Sequence, residues 1–194
     1  MYDIPQSIVI EGQTFNIRNK GDFRTILDCF GALEDFELTD EERNLASLII
    51  FYEDLNGLED IDKLPNLESA LLEMYKFFNC GELESPGASV NYKLIDWQKD
   101  SQLVCSAINN VAGQEIRALP YVHWWTFMGY YLAVGESPLA TVLSIRGKIK
   151  KGEKLEKWEQ KFRQNNPNYF NWDSRTTKEK ELDDEVDKLW NAGK

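Results

Sequence analysis

The chain has 194 residues, is 42% hydrophobic and 12% aromatic, and carries a formal net charge of −11 at pH 7. That apolar content is enough for a packed core and excludes a disordered chain. No apolar run reaches the roughly 18–20 residues needed to cross a bilayer.

The charge is uneven. Residues 1–100 hold 21 acidic and 8 basic side chains, a net of −13, whereas residues 101–194 hold 12 and 14, a net of +2. The basic excess lies in SIRGKIKKGEKLEKWEQKFR (144–163), with 8 bases against 3 acids. An acidic body repels nucleic acid and anionic membranes, so neither is an expected partner. The start MYDIPQSIV lacks a basic stretch followed by a long apolar segment, so no secretory leader is expected. Cys29, Cys80 and Cys105 are odd in number, far apart and set in apolar surroundings, which suits reduced core thiols.

In chain order, SIVIEGQTFNIR (7–18) reads as a hairpin turning at Glu11-Gly12. Ile8 and Ile10 alternate with Val9, and Phe15 and Ile17 with Asn16. Asp22 is the expected N-cap of a helix over 23–33, with Phe23, Ile26, Leu27 and Phe30 on one face. Thr39 and Glu42 form a capping box opening a helix whose apolar side is Leu45, Leu48, Ile49 and Tyr52. Pro65 suits a first helical turn before Leu67, Leu71, Met74, Phe77 and Phe78, and glycine at Cys80-Gly81 supplies the stop. Residues 82–92 read as a loop. A helix is expected from Trp97 to Val111, ending at Gly113. PYVHWWTFMGYYLAVG (120–135) reads as a central helix from Pro120 to Gly135, apolar over most of its circumference. Its two rows are Trp124, Phe127, Tyr131 and Trp125, Met128, Leu132. Ser137-Pro138 supplies an N-cap and first-turn proline for the next helix. GEKLEKWEQKFR then continues as a charged helix with Leu155, Trp158 and Phe162 in line. Residues 164–177 are polar with three aromatics, as in a linker or docking segment. The final KEKELDDEVDKLWNAGK carries a narrow apolar stripe, Leu182, Val186, Leu189 and Trp190, which must bury against the body or another chain. The expected fold class is therefore mainly α: a compact multi-helix domain with a short N-terminal hairpin over 1–165, followed by a linker and C-terminal amphipathic helix over 166–194.

Catalytic signatures are missing. There is no phosphate loop, dinucleotide fingerprint, Gly-x-Ser-x-Gly elbow or paired Cys-x-x-Cys. The acidic clusters 39–43, 58–62 and 182–187 lack the spaced ligands and central glycine of a calcium loop. His123, the one histidine, has no adjacent nucleophile and acid. Its expected role is a hydrogen bond to a neighbouring carbonyl or carboxylate. No catalytic, cofactor-binding or metal-ligating residues are expected, and no enzyme.

YDIPQSIVIEGQTFNI, FRTILDCFGALEDFELTDEER, MYKFFNCGE, YKLIDWQKDSQLVCSAI, LPYVHWWTFMGYYLAVGES and IRGKIKKGEKLEKWEQKF, in that order, resemble the phage gene-product-fifteen family over residues 2–165. The resemblance implies a small protein from the tail-morphogenesis region of long-tailed phages and prophages, acting in the host bacterial cytoplasm. Proteins encoded between the major tail protein and the tape-measure protein are often tail assembly chaperones, which coat the tape measure while the tube polymerises. The family brings no catalytic residues. The implied partners are the tape-measure protein, other tail assembly proteins and further copies of the chain.

A chaperone for a long helical protein needs faces that accept amphipathic helices and many weak sites acting together. The candidate partner-binding residues are Lys148, Lys150, Lys151 and Lys154 of the basic stretch, with Trp158, Phe170, Trp172, Leu182, Val186, Leu189 and Trp190. The LLEMYKFF face is a further apolar candidate. The basic stretch also reads as a solvated face laced with i,i+4 pairs such as Glu153–Lys157. Alternative functions are a structural tail or connector component retained in the virion, and an acidic inhibitor of a host protein.

Overall fold

The computed structural model describes residues 3–82 and 94–171. The expected loop over 82–92, apart from Glu82, lies outside the described residues, as do Trp172 and the C-terminal stripe. The fold is mainly helical with a two-stranded antiparallel hairpin at the N-terminal end. By contacts, the chain falls into two compact units, Met1–Ala88 with Leu119–Gly129 and Ser89–Ala118 with Tyr130–Lys194.

The first unit starts with β1 (Ser7–Ile10) and β2 (Gln13–Asn16), paired in the register Ser7↔Asn16 to Ile10↔Gln13. Both loop residues, Glu11 and Gly12, have positive φ (48° and 84°), as a two-residue type I′ turn demands. Ile8, Ile10, Phe15 and Ile17 face the core while Val9 is exposed, so the period-2 pattern decides the buried face. Ile17 makes an isolated bridge to Tyr52, which anchors a hairpin that would be marginal alone.

Helix α1 (Phe23–Leu33) begins where Asp22 accepts a hydrogen bond from the Arg24 amide. Its buried face is Phe23, Thr25, Ile26 and Cys29; Leu27 and Phe30 are only half-buried, a rotation away from the expected stripe. Helix α2 (Asp40–Phe51) has the expected Thr39–Glu42 capping box. It buries Arg43, Ser47, Leu48 and Phe51, whereas Leu45 and Ile49 stay half-buried. Arg43 can occupy the core because its guanidinium donates to Asp35 O and Leu38 O at 2.6 Å each and pairs with Asp40 at 2.8 Å. Arg18 closes the far end of α2, donating to the carbonyls of Ile49, Ile50, Tyr52 and Leu55. A cation there satisfies orphan carbonyls and meets the negative end of the helix dipole.

Helix α3 (Leu67–Phe78) is capped by the Asn66 side chain, which accepts from the Ser69 amide; Pro65 lies before the cap and not in the first turn. Its C-terminal end is a Schellman motif, with Gly81 N–H donating to Lys76 O and Cys80 N–H to Phe77 O. Cys80, at φ 56°, takes the left-handed position expected of a glycine.

Helix α5 follows α4 (Ser101–Ala112) in the chain and spans Trp124–Leu132, nine residues in place of the expected sixteen. Pro120 to His123 stay outside it, because the extended chain there pairs with Asp22. Phe23 N–H donates to Val122 O, and Val122 N–H donates to the Asp22 carboxylate. Trp124 and Phe127 are buried, but Leu132 is 76% exposed, so α5 is a short anchor and not a helix buried all round. In the first unit Phe127 stacks on Phe23 with centroids 4.6 Å apart. The indoles of Trp124 and Trp125 donate to Phe78 O and Phe77 O, both at 2.9 Å, which satisfies the last carbonyls of α3. Trp124 is the fully buried one of the pair.

In the second unit, Trp97–Asp100 form a turn before α4, which is therefore shorter at its start than expected; Gly113 ends it at φ 70°. Helix α6 (Pro138–Lys150) is capped by Ser137 Oγ accepting from the Ala140 amide, with Pro138 in the first turn. Helix α7 (Lys157–Asn165) starts five residues later than a continuous 152–163 helix would, after a connector opened by Gly152 at φ 70°.

Candidate interaction surface

The surface is built on two buried charges that the sequence reading did not single out. Arg146 projects from α6 and is only 5% exposed. Its guanidinium pairs with Asp100 through bonds of 2.6 and 2.9 Å, and donates to Leu94 O and twice to Tyr169 O. One side chain thereby ties α6 to the turn before α4 and to the segment after α7. The stretch that looked like a linker is thus held to the fold as far as Phe170 by the turn Pro167–Tyr169.

Glu159 is the second, at 1% exposure. One carboxylate oxygen accepts from Lys148 Nζ at 2.7 Å and the other from the Glu156 amide at 2.8 Å. It therefore closes the capping box of α7 and clips α7 to α6. The Lys148 bond, then the Glu156 amide, hold its carboxyl below the usual glutamate range. Glu159 in turn pushes the Lys148 ammonium above its ordinary value. The EKWE pattern at 156–159, two acids three apart at a helix start, is the sequence signal for this box.

Lys148 thus forms part of the α6–α7 clip and Lys150 is half-buried, while Lys151 and Lys154 lie exposed on the connector. Trp158 is 55% exposed, its indole donating to Glu156 at 3.0 Å. Phe170 is half-buried, edge-on to Phe162 at 6.3 Å. Phe170 also lines an open cavity of about 520 Å³ with Leu155, Gln160, Arg163 and Pro167. In the first unit the LLEMYKFF helix turns Met74, Phe77 and Phe78 inward. Leu72 and Tyr75 remain exposed beside a cavity of about 460 Å³.

His123 is an architectural residue in this geometry. It is buried, its Nε2 lies 3.0 Å from Pro5 O, and its Nδ1 accepts from the Trp125 amide at 3.1 Å. An acceptor at Nδ1 places the proton on Nε2, which donates to Pro5 O. Burial lowers its pKa, opposed by the Pro5 carbonyl and Asp22. The Cys29 thiol, also buried, is pushed up to about 12, the opposite of a reactive thiolate. Among the described residues no group of three or more His, Cys, Asp and Glu side chains is placed to hold a metal ion, and no helix is long and apolar enough to cross a membrane.

The fold and this surface define a small, mainly helical protein whose internal charges act as ties and whose exposed aromatic and basic side chains lie on α7 and the connector before it. It belongs to the family described as Bacteriophage Gp15 protein, whose model matches residues 1–170. That span covers the stretch on which the resemblance rests. No curated protein and no solved structure matches the chain.

Proposed function

We propose that this phage-family chain is a non-enzymatic tail assembly protein, a chaperone that binds the tape-measure protein in the host cytoplasm during tail morphogenesis. Membership of the family over residues 1–170 carries the reading. The exposed Trp158, Lys151 and Lys154 beside α7, with Leu72 and Tyr75 on α3, support it as faces on which amphipathic helices can lie. Each is small, so affinity comes from many copies acting along one long partner. The acidic residues 1–100 and the basic 144–163 stretch favour head-to-tail self-association, the heterologous contact that builds open arrays.

Co-expression with the tape-measure protein tests this. A soluble complex is expected where the tape measure alone is insoluble. A tape measure equally insoluble with and without this chain overturns the chaperone reading. Finding the chain in purified virions by mass spectrometry assigns it to the structural tail instead.

A further inference from the structure

The hairpin has one closed edge and one open edge. On the outer side of β2, Asn16 O accepts from Glu53 N–H at 2.9 Å, and Asn16 N–H donates to Asp54 Oδ2 at 3.3 Å. Asn16 stands opposite Ser7, so the backbone N–H and C=O of Ser7 point the other way, away from β2. Val9, two residues on, points the same way. The bond from Ile17 N–H to Gln6 O, 2.9 Å, fits this alternation, since even-numbered positions from Gln6 onward bond towards β2. Among the described residues nothing bonds to the outward groups of Ser7 and Val9. Both residues are exposed, Val9 at 60%.

Proteins usually blunt such an edge with charge, a bulge or a cover. Here PQSIVI (5–10) has no charged side chain in a chain that is 28% charged, and the register runs unbroken. Beside Ile8 lies an open cavity of about 350 Å³, lined also by Phe77, Gly81 and Trp125. An uncharged edge is where copies of a chain of net charge −11 meet with least repulsion. We infer that β1 pairs with β1 of a second copy, antiparallel about a twofold axis at Ile8. The edge is self-complementary in that register. Ser7 lies opposite Val9 of the other copy, and each such pair exchanges both backbone bonds. Pro5, with no N–H to offer, falls outside the ladder. Shifting the ladder by two residues sets Val9 opposite Pro5 or Ser7 opposite the turn residue Glu11, and either shift loses bonds. The paired Ile8 side chains meet on the core side, over the mouth of the cavity. The contact is isologous and closed, unlike a head-to-tail contact of acidic and basic stretches. It holds whether or not the chain is a chaperone.

Light scattering on the full chain at about 0.5 M salt, where charge-driven association is screened, tests it together with amide exchange read by NMR. The mass is expected to rise to that of a dimer as concentration approaches about 1 mM. The Ser7 and Val9 amides are expected to slow at least about tenfold as the dimer forms. Those of Ile8 and Ile10, bonded within the hairpin, stay protected throughout. Val9→Pro removes a bonding N–H at an exposed position that an edge strand tolerates. It is expected to weaken the dimer at least about tenfold. A monomer at about 1 mM overturns the proposal. So does a dimer whose Ser7 and Val9 amides exchange freely, protection of those amides at monomer mass, or a folded Val9→Pro that dimerises as well as the wild type. If circular dichroism shows Val9→Pro unfolded, the wild-type exchange pattern decides alone.

Discussion

At the scale of single residues, polar side chains in the core act as ties, and each tie has a specific geometry. His123 joins the N-terminal segment to the start of α5, with one ring nitrogen donating to Pro5 O and the other accepting from Trp125 N–H. Protonation removes the acceptor and strands the amide. Because burial depresses the folded-state pKa, the unfolded chain takes up the proton first as pH falls. The contribution of His123 is therefore complete above the ordinary value of about 6.5 and is lost as pH drops through the lower folded value. Urea unfolding should show stability declining as pH falls below about 6.5 in the wild type, and a flatter profile in His123→Gln. Equal slopes in the two proteins would sink this assignment. His123→Phe leaves Pro5 O and Trp125 N–H without this partner and should cost about 1–3 kcal/mol for each group stranded.

At the scale of elements, the starts of helices were legible and their buried faces less so. Asp22, the Thr39–Glu42 box and Ser137-Pro138 each mark a helix start where the fold has one, because a cap acts on amides two or three residues away. Glu11-Gly12 sets the hairpin for the same local reason. The length of α5 was not legible, since the residues before it are held extended by Asp22, a hundred positions earlier in the chain. Nor were the ties of Arg18 and Arg146, whose partners are carbonyls brought close only by the fold. On the candidate surface, Lys148 reads as one more lysine of a basic run; only the fold shows the buried carboxylate that holds it. The two roles of Glu159 can be separated. Glu159→Gln keeps an acceptor for the Glu156 amide but loses the charge that holds Lys148, as does Lys148→Met from the other side. Glu159→Ala loses both. Guanidinium unfolding should rank Glu159→Ala as the most destabilised, with the other two similar to one another. If all three are equally affected, the capping role has no energetic weight.

At the scale of the whole molecule, the separation of charge along the sequence becomes a statement about assembly. The basic excess of 144–163 is smaller in solution than its count of 8 suggests, because Arg146 is buried against Asp100 and Lys148 is held by Glu159. Lys151, Lys154, Lys157, Lys161 and Arg163 remain exposed, and these are the charges a neighbouring copy's acidic half can meet. Such contacts between solvated groups are screened within about 10 Å at 0.1 M salt and within about 3 Å at 1 M. Association driven by them should therefore weaken steeply between low salt and about 0.5 M, which light scattering reads directly as a falling mass. K151E/K154E removes two of these charges, so it should associate more weakly than the wild type at low salt and match it at high salt. A mass that is independent of salt in both proteins removes electrostatic self-association. A salt-sensitive mass that these substitutions leave unchanged keeps it, and places the contact on Lys157, Lys161 and Arg163 instead.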